Sequence, residues 1–300
     1  MIHLMVNEIK ESLAMQLNMG QTHIYLSAPH SLYISDKQAQ LFEVATQQNT
    51  AYQDELDEPI LNLLSSNAAE ILSSIESHIN FIDLGPGHPS KSLGLLDYML
   101  ANQVTPSYYA VDISEFFLDH AVNAVRERNI VSYRIHRRFE ELETTLDADI
   151  VVPSQRIMFM GLTFNNFDLS EIIKILNGII RKGDLCLICI QAKLLEQELV
   201  APYISENVRA FAFATLELLG FCASDVDYAP SFYDGAIHTD FITNKEIMID
   251  DIKIPKNTRI TTAKSFRYET DFLHKQLEHI FNIPHVYHDK QISLFVLEGR

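Results

Sequence analysis

One segment decides the fold of this chain: Phe81-Ile-Asp-Leu-Gly-Pro-Gly-His-Pro-Ser-Lys-Ser92. Its apolar start is typical of a buried strand, and a helix is predicted to begin near Ser90. Gly85 and Gly87 lie between the two, where glycine permits a tight turn and lets a ligand approach the backbone at the carboxyl end of the strand. The spacing is not G-x-G-x-x-G, which disfavours a dinucleotide. A plain strand–helix turn is the alternative interpretation.

A second informative residue ends the next predicted strand, Tyr108-Tyr-Ala-Val-Asp112. Asp112 follows Gly87 by 25 residues. A carboxylate at this place can accept hydrogen bonds from both hydroxyls of a ribose. Asp is also a common helix cap, and Asp112-Ile-Ser114 begins a predicted helix, so the residue alone is a weak signal. Together with the glycine turn, it favours an adenosyl ligand.

Strand and helix patterns alternate around these two strands, which predicts an α/β fold with a mostly parallel sheet. Further strands are predicted at Ile130–Ile135, at Ile150–Val152 or Ile157–Met160, and at Leu185–Ile190. The predicted helices are Ser90–Ala101, Ser114–Arg128 and Leu169–Arg181. The chain ends in a helix, Thr270–Phe281, and an antiparallel hairpin formed by His285–Asp289 and Ile292–Leu297.

The remaining segments follow a different pattern. The N-terminal quarter reads as helical, with one helix from Asp36 to about Asn49, capped by Asp36, and another from Asp54 to His78. A helix is predicted over Glu206–Leu219. Short alternating runs within 237–262 predict antiparallel strands.

Composition narrows the class of protein. The chain has 300 residues and a net charge of −17, which argues against nucleic acid as a partner. No apolar run reaches the ~20 residues of a membrane span, and no signal peptide is recognised. Cys186 and Cys189 form a C-x-x-C, but they lie in an apolar run and should point to opposite faces of a buried strand. No metal-binding motif is found, and reduced thiols predict a cytoplasmic protein.

Several motifs, taken in their order and spacing, resemble the family of histidine-specific, S-adenosylmethionine-dependent methyltransferases, which includes the histidine Nα-methyltransferase of the ergothioneine pathway. The segments that carry the likeness are Asp83-Leu-Gly-Pro-Gly87 with Lys91-Ser92, Val111-Asp-Ile-Ser114, Leu41-Phe-Glu-Val-Ala-Thr46 followed by Tyr52, Met160-Gly-Leu-Thr-Phe-Asn-Asn166, Lys182-Gly-Asp184, Tyr203, and Thr262-Ala-Lys-Ser265 with Phe266-Arg-Tyr268.

The resemblance implies a Rossmann-like methyltransferase domain over residues 57–193 and 268–300, and an α+β substrate-binding domain over 1–56 and 194–267 that covers its mouth. It implies S-adenosyl-L-methionine as cofactor. By position, the cofactor contacts are Gly85, Gly87, Lys91, Asp112, Phe139 and Gly161. The substrate contacts are Tyr52, Asn166, Tyr203, Ala263 and Ser265, and Asn166 and Tyr203 are also the expected catalytic pair. No metal is implied.

Some positions depart from the family pattern. Ala263 stands where the family has the Glu that accepts the imidazole N–H of histidine, and alanine cannot accept a hydrogen bond. Arg138, which precedes Phe139, replaces the acidic residue beside the adenine amino group. Ala51 replaces a substrate-binding tyrosine, and Gln191 replaces an Asp after the fifth strand.

The resemblance implies methylation of the amine of an amino acid or related small molecule, and these departures predict that it is not histidine. The partner is then a small-molecule substrate, with no nucleic acid and no membrane. Two alternatives remain open. One keeps the cofactor but transfers an aminocarboxypropyl group, or methylates oxygen or carbon. The other is a non-catalytic relative, which Arg138 and Ala263 favour.

Overall fold

The computed structural model describes residues 2–26, 29–48, 52–151, 153–192 and 199–300. Backbone packing divides the chain into two compact units. The large unit comprises Thr50–Lys193 and Arg267–Arg300, and the small unit comprises Met1–Asn49 and Leu194–Phe266. The assignment of cofactor binding to one domain and substrate binding to the other stays a prediction. Ala51, the predicted helix end at Asn49 and the predicted strand end at Val152 lie outside the described residues.

The regular elements are numbered along the chain. The helices are α1 Ile2–Asn18, α2 Asp36–Gln47, α3 Glu58–Ile71, α4 Ser90–Ala101, α5 Glu115–Arg126, α6 Leu142–Asp149, α7 Leu169–Ile179, α8 Glu206–Leu219 and α9 Thr270–Leu277. The strands are β1 His23–Tyr25, β2 His78–Leu84, β3 Thr105–Asp112, β4 Ser132–His136, β5 Gln155–Gly161, β6 Leu185–Gln191, β7 Val226–Tyr228, β8 Ser231–Tyr233, β9 Ala236–Thr243, β10 Ile247–Ile249, β11 Ile252–Ile254, β12 Arg259–Phe266, β13 Asn282–Asp289 and β14 Ile292–Glu298. A π-helix, Gln53–Asp57, precedes α3.

The described part of the large unit contains a seven-stranded sheet in the order β13-β14-β6-β5-β2-β3-β4. Its last five strands are parallel neighbours. β14 is antiparallel to β6, and β13 is antiparallel to β14. This is the predicted α/β fold with its antiparallel C-terminal hairpin. Because the parallel strands run in one direction, they end together at one edge of the sheet, which we call the carboxyl edge. Ligands bind at this edge in open α/β sheets.

Apolar strands place the core on both faces of this sheet. All seven residues of β6 are buried. Cys186 belongs to the apolar cluster on one face and Cys189 to the cluster on the other, as the strand period predicts. Burial raises the pKa of the Cys189 thiol to about 12 and so disfavours the thiolate, which is the form that reacts or binds metals. Packing in the two apolar clusters accounts for both cysteines of the C-x-x-C. No helix in the described part of the chain is long and apolar enough to cross a membrane.

The long helix predicted over residues 54–78 is three separate elements. A π-helix comes first, α3 ends at Ile71, and His78 already belongs to β2. The N–H of Leu72 makes the last bond of helical type, to the carbonyl of Ala68, and the N–H of Ser73 then donates to the carbonyl of Glu70 in a tighter turn. The sequence continues with Ser73 and Ser74, residue types that favour turns over helix interiors. The apolar Ile75 extended the helical pattern beyond the true end of the helix, so the predicted bounds were wrong.

The small unit contains a sheet in the order β1-β12-β9-β7, with β8 also paired to β9. The pairs β12–β9 and β10–β11 are antiparallel, as predicted for residues 237–262. Strands β7 and β8, which are also antiparallel to β9, and the parallel strand β1 were not predicted. Helix α8 has the predicted bounds. Helix α2 is capped by the side chain of Ser35, in a capping box with Gln38, and not by Asp36.

Strand β12 carries a bulge that decides which way its last residues face. Thr261 pairs with Asp240 but Ala263 pairs with Thr239, so Thr262 is the extra residue. A bulge re-aims the side chains beyond it. Ala263 and Ser265 therefore share the face of Thr239, and Lys264 lies on the opposite face.

Candidate active site

The glycine turn lies at the carboxyl edge, directly after β2. Gly85 and Gly87 have φ angles of +74° and +49°, a region that favours glycine. The N–H of Gly85 donates to the carbonyl of Val111 at 2.9 Å, which holds the turn beside the end of β3. A Cβ at Gly85 would lie 2.8 Å from the Oγ1 of Thr163. Both the backbone angle and the close neighbour therefore require glycine at this position.

Asp83 is buried beneath this turn, with only 1% of its surface exposed. Its carboxylate accepts hydrogen bonds from the hydroxyl of Ser92 on α4 and, at 2.7 Å, from the phenol of Tyr108 on β3. Burial raises the pKa of Asp83 to about 6, although both hydrogen bonds lower it. The carboxylate thus joins the elements on both sides of the glycine turn. Sequence reasoning missed this role, and the signal was a single acid inside an apolar strand.

Asp112 ends β3 next to the glycine turn. It is 9% exposed, and its Oδ1 accepts a hydrogen bond from the N–H of Ser114 at 2.8 Å. Burial raises the pKa of Asp112 to about 7, although backbone hydrogen bonds from Ser114 and Ile113 lower it. The side chain of Ser114 caps α5, so Asp112 does not serve as the cap. A carboxylate at this place fits the ribose of an adenosyl ligand.

The end of β5 completes this part of the carboxyl edge. Gly161 has a φ angle of +50°, and the 3₁₀ helix Leu162–Asn166 follows it. Thr163 lies against Gly85, so this turn and the glycine turn are neighbours. Asn166 is half-buried at the end of the 3₁₀ helix. The structure therefore brings the turn after Gly161, whose 3₁₀ helix ends at Asn166, next to the predicted cofactor turn through Thr163.

Phe139 follows β4 and begins the 3₁₀ helix Phe139–Glu141. Its ring centroid lies 5.7 Å from that of Phe167, one residue after Asn166. The preceding Arg138 donates its backbone N–H to the Oε2 of Glu141 at 3.4 Å. Phe139, predicted by position as a cofactor contact, therefore lies near the same turn. Residue 138 is an arginine here, where the family usually has an acidic residue.

Lys91 has a carboxylate partner inside the large unit. Its Nζ lies 2.7 Å from the Oδ1 of Asp57, the last residue of the π-helix. Tyr52 stands immediately before that π-helix and packs, half-buried, against the core. The cofactor contact of Lys91 and the substrate contact of Tyr52 stay predictions.

The other predicted substrate residues belong to the small unit. The carbonyl of Tyr203 accepts a hydrogen bond from the phenol of Tyr228 at 2.9 Å. Ala263 and Ser265 are half-buried on β12, and the hydroxyl of Thr239, the partner of Ala263, lies 3.0 Å from that of Thr262. No group of three His, Cys, Asp or Glu side chains within the described ranges could hold a metal ion.

A sheet of this topology, with a glycine turn and an acid at the ends of its first two parallel strands, defines the class of S-adenosylmethionine-dependent methyltransferases. Among solved structures, the fold is similar to that of the PH0226 protein from Pyrococcus horikoshii OT3, with a TM-score of 0.50 and 10% identity. That likeness covers 89% of this chain and 100% of the other. At this identity it shows the fold alone.

The chain belongs to the family of histidine-specific, S-adenosylmethionine-dependent methyltransferases, which it matches over residues 9–298. One relative is a 4-dimethylallyltryptophan N-methyltransferase of Epichloe festucae var. lolii, 27% identical over 173 residues, or 52% of this chain and 49% of the relative. Another, of the same name, from Penicillium roqueforti (strain FM164), is 23% identical over 245 residues, or 70% of this chain and 71% of the relative. The match thus spans about half the length of the Epichloe protein.

Proposed function

We propose that this chain methylates the amine of an amino acid whose side chain is bulky and apolar or aromatic. The observation that carries the proposal is the arrangement of the glycine turn and Asp112 at one edge of the sheet, together with the family match over residues 9–298. The buried carboxylate of Asp112 suits ribose hydroxyls, which are donors. The positive φ angles at Gly85 and Gly87 leave backbone open to an adenosyl ligand.

The substrate side chain is inferred from Ala263. The family's Glu at this position would accept a hydrogen bond from the imidazole, and a buried imidazole without that partner loses on the order of 1.5–3 kcal/mol. The neighbouring hydroxyl of Thr239 is paired with Thr262. Alanine also leaves more space than glutamate, so a bulkier or less polar side chain suits this place better than histidine. The names of the two fungal relatives, both N-methyltransferases of a tryptophan derivative, support an aromatic substrate.

In the mechanism, S-adenosylmethionine supplies a methyl group that can pass to an uncharged nitrogen in one displacement. The chain has to hold the amine in line, with the reacting atoms ~3–3.5 Å apart. We assign this to the amide of Asn166 and the hydroxyl of Tyr203, which can hydrogen-bond an amine and a carboxylate. Lys91 and Phe139 would hold the cofactor together with the glycine turn, Gly161 and Asp112. No separate general base is assigned.

The test is an incubation of the purified chain with labelled S-adenosylmethionine and a panel of amino acids, followed by mass spectrometry of the products. We expect methylated aromatic or large aliphatic amino acids, and little or no methylated histidine. Efficient methylation of histidine contradicts the proposed substrate class. A product carrying an aminocarboxypropyl group, or a methyl group on oxygen or carbon, supports the other transfer reactions instead.

A non-catalytic relative is the second candidate, because Arg138 has five donors and no acceptor for the adenine amino group. Calorimetry with S-adenosylhomocysteine separates it from an enzyme. A folded chain that gives neither binding heat nor a thermal shift supports the non-catalytic candidate.

A further inference from the structure

The π-helix Gln53–Asp57, which we call the strap, is attached to the carboxyl edge of the large unit at two separate places. Helices of this type are rare and occur frequently at functional sites. None of the groups that attach the strap, apart from Lys91, was predicted to belong to the site. Its attachments are side-chain contacts between residues far apart in the sequence.

The first attachment joins the strap to the end of β6 and to the start of the antiparallel strand β14. The amide of Gln191, the last residue of β6, donates to the Oε1 of Gln291 at 2.9 Å. Gln291 in turn donates to the carboxylate of Glu55 at 2.7 Å. Beside it, the Nζ of Lys290 lies 2.8 Å from the carbonyl of Asp54. Gln191 and Gln291 are 6% and 8% exposed, so this chain of amides is shielded from water.

The second attachment joins the strap to the start of α4. Asp57 forms its ion pair with Lys91, the second residue of α4. The side chains of Lys91 and Asp57 are 17% and 26% exposed. Lys91 follows the glycine turn by four residues. The strap is therefore held next to the predicted adenosyl site.

Sheet order shows what lies between the two attachments. β6 and β2 are separated by β5 alone, and all three are parallel. A segment fastened at the end of β6 and at the helix after β2 therefore crosses the carboxyl edge near the end of β5, where Gly161 lies. Ligands of such sheets bind outside this edge.

We infer that Asp57 and Gln291 are positioning residues, which hold the strap across the carboxyl edge and slow the release of the adenosyl ligand. This inference rests on the proposed function, because it requires that ligand to bind at the glycine turn. Lys91 then acts at least partly through Asp57. Neither Asp57 nor Gln291 needs to touch the ligand.

The experiment measures the dissociation rate of S-adenosylhomocysteine from the full chain by stopped-flow displacement. Asp57→Asn and Gln291→Leu are each expected to raise this rate about tenfold, and Asp57→Asn should do so with little change in the melting temperature. Asp57→Glu, which keeps a carboxylate, should restore much of the slow release. Tyr287→Phe is the matched control, since it removes a hydrogen bond from β13 to Glu70 on α3, outside the strap.

Several results would overturn the inference. If the wild type binds S-adenosylhomocysteine and both variants release it at the wild-type rate or more slowly, the strap has no such role. If Tyr287→Phe accelerates release equally, the effect is one of general stability. If the wild type itself does not bind, the proposed function fails and this inference fails with it. Should Gln291→Leu not fold, amide hydrogen exchange of residues 53–57 in Asp57→Asn replaces it. Unchanged protection there, with ligand bound, contradicts the inference.

Discussion

The phenol of Tyr108 donates a hydrogen bond to the carboxylate of Asp83 at 2.7 Å, in the interior of the large unit. The same carboxylate accepts from Ser92, so it joins β2, β3 and α4 directly below the glycine turn. These hydrogen bonds thus hold together the three elements that position the glycine turn, where the cofactor is predicted to bind. A buried acid in such a position also links the stability of the chain to pH.

The first prediction concerns this link. Because burial raises the pKa of Asp83 from 3.8 to about 6, this residue binds a proton more tightly in the folded chain than in the unfolded chain. This contribution to stability, about 3 kcal/mol, is fully present below pH ~4 and is lost as the pH rises through ~6. Asp83→Asn should remove that loss. Urea unfolding of the wild type and of Asp83→Asn, from below pH ~4 to above pH ~6, measures this loss. If the free energies of unfolding of the two proteins change in parallel with pH, the loss does not come from Asp83.

The second prediction concerns Asp112 and the affinity for S-adenosylhomocysteine. Burial raises the pKa of Asp112 to about 7, so lowering the pH below this value protonates the carboxylate and removes an acceptor for the ribose hydroxyls. We expect weaker binding at pH ~6 than at pH ~8. Asp112→Asn should weaken binding at pH ~8 by roughly tenfold or more and flatten the pH profile.

Calorimetry at several pH values checks this second prediction. Glu115→Gln, on the exposed side of the helix that follows, is the matched control and should keep the wild-type profile. An unchanged affinity in Asp112→Asn would show that the ribose is held elsewhere.

The third prediction separates backbone strain from steric conflict at Gly85. Gly85→Ala and Gly183→Ala both place a side chain at positive φ, +74° and +85°, which costs on the order of 1–2 kcal/mol. Only at Gly85 does the new Cβ meet a neighbour, Thr163 at 2.8 Å, whereas Gly183 has open space. Gly85→Ala should therefore lower the melting temperature further and also weaken S-adenosylhomocysteine binding. Equal effects of the two substitutions would contradict the close packing at the turn.

The fourth prediction concerns the choice of substrate. Ala263→Glu restores the family's acceptor for imidazole and should raise histidine binding by about 10- to 100-fold, while it weakens binding of apolar side chains. Lys264→Glu is the control, because the bulge at Thr262 turns this neighbouring residue to the opposite face of β12. Competition assays with histidine and an aromatic amino acid measure both effects. A gain of histidine binding in the Lys264 variant, or none in Ala263→Glu, would place the substrate side chain elsewhere.

Patterns within single elements were sufficient to predict much of this chain. Apolar runs and glycine turns predicted the parallel sheet, its antiparallel hairpin and the helix Glu206–Leu219. The glycine turn and Asp112, 25 residues beyond Gly87, favoured an adenosyl ligand. These features depend on the local period of the chain and on steric rules of a few residues, which the amino acids carry by themselves.

Contacts between distant elements were decided only by the tertiary structure. The hydrogen bonds of Asp83, the pairing of Lys91 with Asp57 and the attachment of the strap through Gln291 join residues that no periodic pattern connects. The bulge at Thr262 likewise exists only against its partner strand β9. A polar side chain has the same local pattern whether water or a buried partner satisfies it. Only the packing of neighbouring elements therefore determines whether water or a buried partner forms the hydrogen bonds of that side chain.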